Sequence, residues 1–149
     1  MSPQDPDFAE RVRDSFSRQG IMAHIGATMT RIEAGRCEIE LPFREELSQQ
    51  HGFFHAGVVS TIADSAGGYA AFSLFPTGSS VLTVEFKINL LAPADGERMR
   101  ATGKVIKSGR TLTICELQAF AVKGGRETLC AHGMATLMCM LGRSDMKAD

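Results

Sequence analysis

"HGFFHAGVVSTIADSAGGYAA", residues 51–71, decides how this chain folds. At about 100° per residue, Val59, Ile62, Ala63, Ala66, Ala70 and Ser73 gather on one side of a helix, and Gly57, Ser60, Thr61, Asp64 and Gly68 on the other. Ala63, Ala66, Gly67, Gly68, Ala70 and Ala71 are small, so neighbouring backbone can approach closely, although glycine costs intrinsic helix propensity. A helix this apolar needs a sheet wrapped around it. Asp64, on the opposite side from the core residues, is expected to face away from that sheet.

On either side of this helix the pattern changes. "DPDFAERVRDSFSRQG" (5–20) spaces Phe8, Val12 and Phe16 four apart and closes on Gly20, a helix with a narrow apolar stripe and a glycine stop. From Ile21 to Phe43 the period is two, with Cys37, Ile39 and Leu41 alternating with Arg36, Glu38 and Glu40 and "EAG" (33–35) as a hairpin turn. Beyond residue 75, Leu82, Val84, Phe86, Ile88 and Leu90 alternate with Thr83, Glu85, Lys87 and Asn89, which gives a strand with one core face. "ADGE" (94–97), "KSGR" (107–110) and "KGGR" (123–126) separate three further strands. The expected class is α+β: an N-terminal helix over 1–20, two strands, the long helix, then four strands in antiparallel meander. The 149 residues fit one domain spanning 1–149, and "GRSDMKAD" (142–149) has nothing to bury and is expected to fray.

Composition narrows the function. A net charge of -1 provides no field to gather nucleic acid or an anionic membrane, and no run approaches the length of a spanning helix. Four cysteines without ligand-like spacing, and no apolar leader, point to a reducing, cytoplasmic setting. His51 and His55 stand at i, i+4, but no third metal ligand or HExxH motif accompanies them, so neither a metal nor any other cofactor is expected.

Asp64 acquires meaning from the start of its helix. The first backbone N–H groups of a helix have no internal partners and can receive an oxyanion. If Ala56 or Gly57 polarises a carbonyl, Asp64 cannot reach the same carbonyl within one chain, since eight residues of helix span about 12 Å. Antiparallel pairing with the same helix of a second copy would bring carboxylate and helix tip together, so the chemistry requires a homo-oligomer with its sites at a dimer interface.

"SQQHGFFHAGVVSTIADSAGG" (48–68), "LTVEFKINLLAPADGE" (82–97) and "IKSGRTL" (106–112) resemble the PaaI-like acyl-CoA thioesterases of the hotdog-fold superfamily. The likeness rests on His55-Ala56-Gly57, an aspartate nine residues after the histidine and Gln49 six before it. It implies a hotdog fold, and hydrolysis of an acyl- or aryl-CoA thioester in which coenzyme A is part of the substrate. The resemblance makes Asp64 the carboxylate that attacks the thioester or activates water. It gives Ala56 and Gly57 the donating N–H groups, Gln49 the carbonyl oxygen or water, His55 an orienting role and Thr83 assistance to the attacking water. Leu90, Leu91, Ala92 and Pro93 match one stretch that contacts coenzyme A, and Lys107, Ser108, Gly109, Arg110 and Thr111 another, with Lys107 and Arg110 meeting phosphates. Ala56 stands where many members have glycine. Two rivals share the fold: a hydratase or dehydratase using His51 and Asp64, and a non-catalytic acyl-CoA-binding protein. The proline expected after a hydratase's loop histidine is absent, and its carboxylate would be Glu.

Overall fold

The computed structural model describes residues 1–147. In chain order the elements are α1 (Phe8–Ser17), α2 (Gly20–Ile25), β1 (Thr28–Glu33), β2 (Arg36–Pro42), α3 (Ala56–Phe72), β3 (Ser79–Leu90), β4 (Arg98–Ser108), β5 (Leu112–Lys123) and β6 (Arg126–Leu141), with a short 3₁₀ turn at Glu45–Leu47. All strand pairs are antiparallel, in the order β1-β2-β4-β5-β6-β3, and the sheet curls around α3.

The helix reading holds from Ala56 to Phe72, with residues 51–55 forming the loop that leads into it. Val59, Ile62, Ala63, Ala66, Ala70 and Ser73 are buried, whereas Gly57, Ser60, Thr61, Asp64 and Gly68 all retain some exposure. Burying side chains such as Ile62 and Val59 contributes roughly 1.5–3 kcal/mol each. The small residues serve close packing, since a Cβ on Gly103 of β4 would collide with the Ala66 carbonyl. At its far end α3 is held by Arg11 of α1, which donates to the Phe75 carbonyl (2.8 Å), pairs with Asp5 (2.8 Å) and lies 4.3 Å from the centre of the Phe72 ring.

Four expectations need correction. Period two does not begin at Ile21: α1 stops at Ser17, and α2 follows with Met22 and Ile25 buried, three residues apart, closing on Gly26 at φ +80°. Gly20 therefore opens a helix and does not end one. Nor do the last four strands form a simple meander, because β3 pairs with β6 at the sheet's outer edge while β4, β5 and β6 follow in order. The alternation in β3 breaks at Val84, where Thr83 is opposite Leu137 and Glu85 opposite Thr136. Below the bulge Thr83 lies on the α3 side, above it Phe86, Ile88 and Leu90 do, and Leu82, Val84 and Phe86 are 57%, 53% and 44% exposed. The predicted core face of β3 is thus a largely bare apolar edge. The C-terminal tail, finally, does not simply fray from residue 142: Arg18 pairs with Asp145 at 2.9 Å, tying the tail to α1. Ala148 and Asp149 lie outside the described residues.

Candidate active site

The loop before α3 is built to present the helix tip. Gly52, at φ +81°, closes a tight turn on the Gln49 carbonyl (2.9 Å), and the Gln49 N–H returns to Phe53 O at 2.9 Å. His55 N–H donates to Leu47 O (2.9 Å) and Phe54 N–H to Ala94 O (3.0 Å), which fixes the entry into the helix. His55 is the N-cap: its Nδ1 accepts from Gly57 N–H at 2.8 Å, and its carbonyl takes the N–H groups of Val58 and Val59.

Gly57 N–H is thus occupied by His55 in the chain as it stands. Ala56 N–H makes no hydrogen bond among the described residues. The two candidate donors separate, one spent on holding the tip and one left open. His55 holds the first turn of α3 through its ring nitrogen. Gln49 turns its side-chain oxygen onto His51 N–H, and the His51 side chain stands in solvent.

Gln49, His55 and Ala56 line a cleft of about 540 Å³ whose walls include Leu90, Leu91, Ala92 and Pro93, as well as Phe54 and Cys130. Past Ala92 and Pro93 the surface continues into a second hollow bordered by Lys123 and Arg126. Neither cation was singled out from the sequence, where "KGGR" reads only as a turn; the antiparallel pairing that returns this turn to the cleft mouth is invisible locally. Lys123 is paired with Asp95 at 2.8 Å. The Lys107, Ser108, Gly109, Arg110 and Thr111 segment lies at the exposed β4–β5 connection and lines neither hollow of its own chain.

Asp64 opens elsewhere, into a hollow of about 80 Å³ with Thr83, Ser65, Gly68, Tyr69, Val81 and Gln19. The expectation that it faces away from the sheet needs amendment, because the curled sheet brings its edge strand round the helix and Thr83 Oγ1 donates to Asp64 Oδ1 at 2.8 Å. Oδ2 makes no hydrogen bond among the described residues. Burial pushes the Asp64 carboxyl above the ordinary range for an aspartate, and the Thr83 hydroxyl opposes that shift by stabilising the ionised form. Within one chain, then, Asp64 and Thr83 are together, as are Gln49, His55 and Ala56. The two groups are not.

Residues 51–128 match the family model of the thioesterase superfamily. Among solved structures, the chain is similar to a thioesterase family protein from Silicibacter pomeroyi, at 51% identity and a TM-score of 0.89, covering 91% of this chain and 99% of that one. It is also similar to the proofreading thioesterase EntH of Klebsiella pneumoniae, 28% identical over 83% of this chain and 90% of the relative. The PaaI protein of the Escherichia coli phenylacetic acid degradation operon shares the fold, with a TM-score of 0.82 over 94% of this chain and 98% of that one at 16% identity.

Proposed function

Given that the chain belongs to the thioesterase superfamily and is a thioester hydrolase of the hotdog fold, we propose that it cleaves acyl- or aryl-CoA thioesters at sites shared between two copies of itself. The observation that carries this reading is the division of the site: an open Ala56 N–H at the tip of α3 and an Asp64 Oδ2 without a hydrogen bond about two turns along it open into different hollows. Antiparallel apposition of two α3 helices closes the gap and creates two equivalent sites. The bare apolar edge of β3 supports the pairing, since an exposed strand with Leu82, Val84 and Phe86 at its surface is a template for association.

In the shared site the thioester oxygen accepts from Ala56 N–H at the positive end of α3, which stabilises the charge developing on that oxygen. Asp64 Oδ2 of the other copy either attacks the carbonyl carbon or takes a proton from the attacking water, while Thr83 holds Oδ1. Water adds across the acyl–sulfur bond, and the products are the free acid and the thiol of coenzyme A. The cleft lined by Leu90 to Pro93 suits the pantetheine arm, and Lys123 and Arg126 at its mouth suit phosphates. Lys107 and Arg110 would take part only from the partner copy. The chemistry uses no metal and no redox cofactor.

Thiol release from a panel of CoA esters tests the reading. The parent protein releases thiol, and Asp64→Asn slows release by about 10² to 10⁴-fold with folding intact. Undiminished turnover by this variant would remove Asp64 from the mechanism.

A further inference from the structure

The β5–β6 turn carries two cations in an arrangement that calls for an anion. Lys123 and Arg126 stand directly opposite each other across Gly124 and Gly125, and like charges in that register repel. Both line the hollow past Pro93. The Lys123 ammonium donates to the Asp95 carboxylate at 2.8 Å, whereas Arg126 makes no ion pair or side-chain hydrogen bond among the described residues. Asp95 is placed there by the backbone around it. Its N–H donates to Pro93 O at 2.9 Å, and the Ala94 carbonyl before it takes the Phe54 N–H. After it, Gly96 lies so close to β5 that a Cβ would collide with the Val122 carbonyl oxygen, to which Glu97 N–H donates at 2.9 Å. The Glu97 carboxylate is spent on the turn itself, accepting from Gly124 N–H at 2.9 Å. The acid at position 95 and the turn that carries the cations are therefore held as one unit at the mouth of the cleft.

Resting on the function proposed above, in which these cations meet the phosphates of coenzyme A, we infer that Asp95 is a specificity residue that acts as an internal competitor. Its carboxylate occupies Lys123 where a phosphate would bind, and so weakens the hold on the nucleotide end of the substrate relative to the pantetheine arm. An arriving phosphate either displaces the carboxylate from Lys123 or lies beside it, and both lower affinity. The exchange is open to a ligand, because the Lys123 and Asp95 side chains are 65% and 49% exposed and a pair at such a rim adds little to stability. The pantetheine arm is uncharged, so the carboxylate leaves its binding along Leu90 to Pro93 untouched. A weak hold on the nucleotide also serves turnover. Substrate and product share that end, so a tight grip on it would retain released coenzyme A as firmly as it captures the thioester.

The experiment titrates free coenzyme A into the parent protein and Asp95→Asn by calorimetry, at low and at high salt, and compares KM for hexanoyl-CoA with KM for hexanoyl-pantetheine in both. Asp95→Asn binds coenzyme A about threefold to tenfold more tightly at low salt and lowers KM for hexanoyl-CoA by a similar factor, while KM for hexanoyl-pantetheine stays at its parental value. The gain fades at high salt, because the charges lie at an exposed rim. Equal affinity for coenzyme A in the two proteins, a gain shared by hexanoyl-pantetheine, a gain indifferent to salt, or no binding of coenzyme A at all overturns the inference. The catalytic reading is judged separately. Salt-sensitive tightening in Asp95→Asn without thiol release from any ester upholds the role of Asp95 and removes the proposed hydrolysis, whereas thiol release with unchanged affinity does the reverse.

Discussion

The hydroxyl of Thr83 donates to the carboxylate of Asp64 at 2.8 Å, linking the edge strand to the exposed face of the central helix. This bond opposes the upward push that burial gives the Asp64 carboxyl. In the proposed mechanism Asp64 acts in its ionised form, so activity is expected to fall as pH drops through the Asp64 titration. Thr83→Val removes the opposing influence; the acidic limb of kcat/KM against pH moves to higher pH, and the plateau falls by about tenfold. Thr83→Ser restores both. An acidic limb unmoved in Thr83→Val would show that the hydroxyl does not tune this group.

The same carboxyl bears on stability. Its pKa is raised by folding, so its stabilising contribution is complete below the unfolded pKa and is lost as pH rises through the folded value. Asp64→Asn should therefore melt above the parent near neutral pH, with the difference shrinking as pH is lowered toward about 4. Thermal melts across that range check it, and a variant less stable than the parent at neutral pH would contradict it.

Arg11 closes the opposite end of α3, donating to Phe75 O while paired with Asp5, which is only 5% exposed. Arg11→Ala leaves Asp5 buried without its partner and should lower unfolding free energy by about 3 kcal/mol in denaturant titration. Asp5→Asn combined with Arg11→Met should recover part of the loss. Equal destabilisation by the single and double variants would show that the stranded carboxylate is not the cause.

Phe86 stands on the α3 side of β3 yet remains 44% exposed. Phe86→Glu places a charge in the proposed contact between copies. Light scattering should give the mass of a single chain, with helix content retained and thiol release lost. A variant that keeps both its parental mass and its activity would rule out this edge as the interface.

The central helix and its core side were legible in the sequence, because helix periodicity is a local signal; the Gln49, His55 and Asp64 spacing was equally visible, although within one chain Asp64 opens into a different hollow from the other two. What was missed depended on distance. Nothing between Ile21 and Ile25 announces α2 except Met22 and Ile25 three apart, too short a run to separate from a strand. The bulge at Val84 appears only when β3 is laid against β6. Gln19, Lys123 and Arg126 reach their hollows through chain returns that no window of sequence contains. That His55 takes the Gly57 N–H and leaves that of Ala56 was likewise a matter of ring placement and not of spacing.

Sharing of the site between two copies can be measured by complementation. Ala56 is the first residue of α3 and His55 before it is extended (φ -64°, ψ 139°), so Ala56→Pro deletes the open N–H at a position where proline is well tolerated. Alone, Ala56→Pro and Asp64→Asn should each be nearly inactive. Unfolded together and refolded in equal amounts, they form mixed dimers in which one site combines an intact Asp64 with an intact Ala56, and thiol release should return to about a quarter of the parental rate. No recovery, with mixed dimers present by mass, would mean that the acid and the N–H act within a single chain.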